Sequence, residues 1–136
     1  MTIETPTGRP TPVPDAASQP FFDAAREGKL LLKFCPTCNR YLVPSAEVCD
    51  SCFDYKIDWR ESSGKGTIYS FVLNHQVVHP GFKDLVPYSV IVVELEEGPR
   101  LTSTYDGPHD EIKVDMPVRV TFEDLGEVSV PKFTRA

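Results

Sequence analysis

The 136 residues carry 40% hydrophobic and 10% aromatic side chains, enough for one modest globular core or two very small domains. A formal net charge of −6, with eleven Asp/Glu against six Lys/Arg in residues 66–136, is ill suited to displacing counterions from nucleic acid. No apolar run approaches the roughly 20 residues of a membrane span, and MTIETPTGRP lacks the basic-then-apolar pattern of a secretory signal, so a cytoplasmic location is expected.

Pro6, Pro10, Pro12 and Pro14 bar residues 1–17 from continuing a helix, and an extended or disordered arm is expected there. Ser18-Gln19-Pro20 opens a short helix, with Ser18 as the capping side chain and Pro20 in the first turn, and Gly28 is placed to end it. The adjacent Phe21 and Phe22 exceed what two helical turns can bury on themselves. They either dock on the rest of the chain or form part of a subunit interface or acyl pocket. Helix and lead strand together occupy 18–33.

The only four cysteines fall as two pairs, Cys35-Pro36-Thr37-Cys38 and Cys49-Asp50-Ser51-Cys52. Each pair offers two thiolates from one tight turn, and two facing turns supply the four sulfurs of a tetrahedral site. Zinc suits such a site because it takes thiolate readily and keeps four ligands without redox change. A closed four-thiolate shell leaves no position for water, so one structural zinc is expected, contributing about 10–16 kcal/mol of binding free energy to a segment too small for its own core. Two disulfides are the competing reading, disfavoured because a bond within CxxC is usually redox-active. Iron in a rubredoxin-like electron carrier is the other, although such turns usually place Gly where Asn39 and Phe53 stand here. Leu30–Phe34 and Arg40–Pro44 read as an antiparallel pair closed by the first metal turn, within a ribbon spanning 34–62. The lone Trp59 is expected to pack across the junction with the next domain.

After the hinge-like Ser62-Ser63-Gly64-Lys65-Gly66 the pattern turns to strands. Thr67–His75 carries Tyr69, Phe71 and Leu73 in alternation, and Tyr88–Leu95 is nearly all apolar, as a strand buried on both faces would be. Leu101, Ser103 and Tyr105 alternate next, then Val118, Val120 and Phe122. Val128–Phe133 is a fifth strand, which Pro131 confines to an edge or a bulge. Five strands over 63–136 fit a small Greek-key barrel of OB type, with a five-stranded sandwich as competitor. The expected fold is mainly β: a short N-terminal helix and a rubredoxin-like four-cysteine zinc ribbon, then a five-stranded OB-fold barrel.

His75, His79 and His109 have no nucleophile or acid at fixed spacing, and Glu94, Glu96 and Glu97 read as solvated turns. The loop 77–87 holds Phe82 and Leu85 as apolar residues in solvent-facing surroundings, with Phe82 either an interface anchor or tucked over the barrel end.

The CPxC turn after a helix-and-strand lead, the second CxxC, and Gly64-Lys65-Gly66-Thr67-Ile68-Tyr69-Ser70-Phe71 together resemble one bacterial and archaeal family. His79-Pro80-Gly81-Phe82, Pro87-Tyr88, Glu97-Gly98-Pro99-Arg100-Leu101 and Val130-Pro131-Lys132-Phe133 extend the likeness over about residues 18–134. It is the zinc-ribbon plus OB-fold family of acyl-CoA-associated accessory proteins, which accompany thiolase-superfamily aldolases and thiolases and MaoC-type hydratases in steroid side-chain breakdown. The resemblance implies a non-catalytic subunit in a hetero-oligomer with a thiolase-fold enzyme, metal ligands at Cys35, Cys38, Cys49 and Cys52, and no nucleic acid or membrane as partner. It also implies that ribbon and helix make subunit contacts and that the barrel helps seat acyl-CoA. Contact candidates are Phe21, Phe22, His79 and Phe82, with Arg26, Lys29, Lys33 and Arg40 as the cations nearest any CoA phosphate. Two other functions stay open: a single-strand nucleic-acid binder, and a stand-alone acyl-CoA enzyme using His75 or His79.

Overall fold

The computed structural model describes residues 3–4, 10–76, 80–84 and 86–136. In the N-terminal arm β1 (Ile3–Glu4) pairs antiparallel with β2 (Pro10–Thr11). The helix α1 (Gln19–Arg26) comes next. Ser18 stands at its N-cap but makes no side-chain cap bond. The Asp15 carboxylate accepts from the Ser18 amide and hydroxyl, and the Asp15 carbonyl accepts from the Gln19 amide. The Ser18 hydroxyl is instead taken up by Asp15, donating to its carboxylate and accepting from its amide, so it does not turn to the first-turn amides. Gly28 ends the helix at φ 79, a left-handed conformation that costs Gly nothing.

Three strands build the first sheet. β3 (Leu31–Cys35) lies between β4 (Arg40–Leu42) and β5 (Asp58–Glu61), both antiparallel to it. Trp59 lies opposite Lys33 in this sheet, with the Lys33 ammonium 4.4 Å from its ring centre. It therefore serves the ribbon sheet as a cation platform, and is not among the side chains packed on the barrel core.

The second sheet runs β10 (Ser129–Arg135), β9 (Pro117–Asp124), β6 (Lys65–Asn74), β7 (Tyr88–Leu95), β8 (Arg100–Ser103). Its ends meet: Tyr105 forms a parallel bridge with Phe133, and the Ser103 hydroxyl donates to the Pro131 carbonyl at 2.9 Å. The first barrel strand flanked by the second and fourth, with the third and fifth meeting in parallel, is the OB arrangement. Pro131 lies on β10, an end strand of the sheet order, where its missing N–H breaks no central ladder.

β7 corrects the expectation of burial on both faces. Ser89, Ile91, Val93 and Leu95 are buried, while Tyr88, Val90, Val92 and Glu94 are only partly covered. A curled sheet encloses one face only, and α1 packs chiefly on β10, β3 and β9. β6 has a register shift between Ile68 and Ser70, which leaves Tyr69 48% exposed under the Arg100 guanidinium.

The glycines of Gly64-Lys65-Gly66 have steric causes. A Cβ at Gly66 would lie 2.5 Å from the Glu94 carbonyl oxygen, and one at Gly64 would lie 2.5 Å from a Val120 methyl. Glu97, expected to be idle in a turn, holds this linker: it accepts from the Ser62 hydroxyl at 2.8 Å and the Ser63 amide at 2.7 Å. Glu97→Ala leaves the buried Ser62 short of a charged acceptor and is expected to cost about 1–3 kcal/mol, measured by urea unfolding.

One core spans the two larger sheets. Leu30 and Leu32, from the lead into and the body of β3, are buried with Ile68, Ile91, Val93, Val118 and Phe133 of the barrel.

Candidate metal centre and adjoining clefts

The four cysteine sulfurs lie within 4.8 Å of one another. Cys35 and Cys52 sulfurs are 3.6 Å apart, and those of Cys38 and Cys49 are 3.9 Å apart. A tetrahedral ion with Zn–S bonds of about 2.3 Å would set its sulfurs about 3.8 Å apart, so the donor set fits zinc in type, number and spacing. All four cysteines are free of disulfides. β3 ends on Cys35 and β4 starts at Arg40, so the first turn is the tip of that hairpin, while the second turn faces it from the 49–52 loop. A small apolar shelf of Cys35, Leu42 and Cys49, flanked by Ala46 and Ile57, is what the segment buries around its sulfurs.

Backbone amides already aim at sulfur. The Cys38 amide donates to Cys35 Sγ and the Ser51 amide to Cys49 Sγ, each at 3.4 Å. Amides of Cys52 and Ser51 bring the Cys49 thiol down to about 7, whereas its hydrogen bond with the Cys52 thiol, together with burial, pushes Cys38 up to about 12. Four thiols so close cannot all ionise against one another; a central divalent cation would take them as thiolates and release their protons. The turns are also tied by side chains. Asp54 accepts from the Lys56 amide and the Thr37 hydroxyl, which hold its carboxyl below the usual range, and Arg40 bridges to Asp50 and Ser51.

The residues after each second cysteine, Asn39 and Phe53, stand at φ 54 and 61. The turn demands a left-handed residue there, which Asn tolerates and a bulky aromatic does not. Phe53→Gly is therefore expected to leave stability unchanged or raise it by up to about 1 kcal/mol, read as a thermal midpoint that does not fall.

Of the contact candidates, Phe21 and Phe22 meet edge to face at 5.3 Å and then diverge in role. Phe21 packs on the barrel core, and both line a cleft of about 580 Å³ between α1 and the barrel seam. Tyr88, His109 and Lys132 also line it, residues without a local sequence signal because the seam joins positions far apart in the chain. The four cations are not gathered: the Arg26 guanidinium donates to the carbonyls of Gly126 and Glu127, Lys29 lies 3.7 Å from Glu27, Lys33 donates to the Ala46 carbonyl, and Arg40 belongs to the second cysteine turn. His79 and the Phe82 side chain lie outside the described residues, as does Leu85. His75 is exposed just beyond β6. No helix among the described residues is long and apolar enough to cross a membrane.

Comparison with known proteins agrees with this architecture. Residues 59–123 match the family model described as the C-terminal OB-fold domain of ChsH2. A DUF35 domain-containing scaffold protein of Methanothermobacter thermautotrophicus is 38% identical over 96 residues, covering 68% of this chain and 71% of that protein. A probable enoyl-CoA hydratase alpha subunit of Thermomonospora curvata is 32% identical over 130 residues, which are 94% of this chain and 40% of that protein. The present chain thus spans well under half of that relative's length. Among solved structures, the Ltp2-ChsH2(DUF35) aldolase contains a chain 31% identical, with a TM-score of 0.80 over 92% of this chain and 98% of that one. A DUF35 protein of unknown function from Sulfolobus solfataricus, 15% identical with a TM-score of 0.61, shares the fold. The chain belongs to the DUF35 family, whose zinc-ribbon and OB-fold accessory architecture matches its sheets and clustered cysteines.

Proposed function

We propose that the chain is a non-catalytic accessory subunit of an acyl-CoA-processing complex. It would bind and stabilise a thiolase-fold partner, an aldolase or thiolase, in steroid side-chain degradation or a related pathway, and help shape the acyl-CoA site. The observation that carries this reading is the likeness along 98% of a chain from a structure described as an Ltp2-ChsH2(DUF35) aldolase. Relatives named as hydratase alpha subunits and as scaffold proteins point to the same class of assembly.

In this reading Cys35, Cys38, Cys49 and Cys52 hold zinc, which when bound supplies folding free energy rather than chemistry, because four thiolates close its shell. The ribbon and α1 then present rigid surfaces, and the cleft beside Phe22 is the part of this chain suited to an apolar acyl group. A tagged copy recovered from its native cells, with and without an acyl-CoA, tests the reading. Co-purification of a thiolase-like enzyme supports it; recovery of RNA or of nothing defeats it. Turnover of an acyl-CoA by the isolated chain would also defeat it, and a red, iron-containing preparation would overturn the zinc assignment.

A further inference from the structure

Two hollows lie end to end between α1 and the start of β10, and one pair of side chains stands between them. The cleft of about 580 Å³ at the barrel seam has Val130 on its β10 side. Further along the helix lies a second hollow of about 220 Å³, lined by Val128, Pro14 and Asp23. Phe22 and Pro12 line both, Phe22 from the helix and Pro12 from the N-terminal arm. The second hollow is smaller than the roughly 300–1,000 Å³ of a self-standing small-molecule site, so its use is as an extension of the first. Its polar walls are already paired. The Gln19 amide donates to the Asp23 carboxylate at 2.8 Å, and the Arg26 guanidinium donates to the carbonyls of Gly126 and Glu127. An apolar chain lying there would therefore strand no donor or acceptor of these pairs.

Core packing explains neither divider. Phe21 packs on the barrel core, but the half-buried Phe22 beside it is not among the side chains that do, and nor is Pro12. Pro12 is exposed, yet its place is fixed from both sides. Thr11 before it is buried, and after it Asp15 is tied to Ser18 through both its amide and its carboxylate. The rings of Pro12 and Pro14 lock φ at two of the positions between, which stiffens the segment. We propose that Phe22 and Pro12 form a partition that limits the length of the acyl chain held in the seam cleft. The inference rests on the reading of that cleft as an acyl site and adds what bounds its ligand. Each further buried methylene is worth about fourfold in affinity, so chains that reach the partition gain nothing from added carbons.

The test titrates the zinc-loaded full-length chain with saturated straight-chain acyl-CoAs of increasing length, each below its micelle-forming concentration. Wild-type affinity is expected to rise with each added carbon and to level off where the chain meets the partition. Phe22→Ala joins the two hollows, so the rise should continue. Chains about three carbons beyond the wild-type limit should then bind at least about tenfold more tightly than they bind wild type. Pro12→Ala, outside both helix and core, should move the limit the same way, and Phe22→Trp should move it to shorter chains. Thermal midpoint and metal content verify that each variant keeps its fold. A limit at the same length in all three variants, or no limit in the wild type, would overturn the partition while leaving the acyl assignment of the cleft intact. If the wild-type chain binds no acyl-CoA of any length, the acyl assignment fails and this inference fails with it. Co-purification of an enzyme subunit still decides the accessory reading separately.

Discussion

Cys49→Ser is expected to abolish stoichiometric metal binding and unfold the stretch between the two sulfur turns. Cys49 is fully buried, and its backbone joins the second turn through the Cys49–Asp54 and Phe53–Cys49 hydrogen bonds. A hydroxyl in its place is a weaker ligand, and the shelf of Leu42, Ala46 and Ile57 is too small to hold the segment alone. Metal-coupled folding on the order of 10 kcal/mol is at stake, which exceeds what any single contact in the segment supplies. Metal analysis after dialysis, with amide exchange over residues 35–57, measures the outcome. Loss of ion with unchanged protection there would show that the ribbon stands without it. In the unsubstituted chain metal retention should itself fall towards acid, because the sulfurs bind only as thiolates and protons compete for them.

Phe133→Ala is expected to cost about 3–5 kcal/mol, the range for emptying a fully buried aromatic site. More than volume is lost. Phe133 bridges to Tyr105, its amide donates to the Thr104 carbonyl, and its carbonyl accepts from the Asp106 amide, so the residue lies on the seam that closes the sheet. Truncation removes the packing that sets the seam in place, and the barrel should open there first. Urea unfolding gives the total, and exchange at Asp106 and Phe133 gives the location. A cost below about 1 kcal/mol would mean that neighbouring side chains collapse into the space.

Legibility in the sequence tracks the range of the interaction. The sulfur site could be read because each CxxC pair is local and the two pairs need only face each other. Three of the five barrel strands could be read from alternation and β7 from its apolar run, and Gly28 from its place after the last helical turn. What escaped depends on distance along the chain. Arg26 reaches carbonyls of Gly126 and Glu127, 100 and 101 residues on, and Glu97 pins Ser62 and Ser63 from more than 30 residues away. Neither has a spacing rule. The all-apolar run of β7 misled because hydrophobicity reports what a strand could bury, whereas its outer face is only partly covered among the described residues. Ser18 misled because its hydroxyl is engaged by the amide and carboxylate of Asp15, three residues upstream.

The side chains of Leu30 and Leu32 belong to one unit by sequence order and to another by packing. They precede the cysteines, yet they lie in the core closed by Phe133. The molecule resembles a tenon seated in a mortise, with β3 as the tenon. Severing the chain after Ser62 would therefore not yield two independent parts, since the second would carry an empty socket where two leucines had been. Any exchange of ribbons between relatives must carry the strand along with the cysteines, matched in volume to the barrel that receives it.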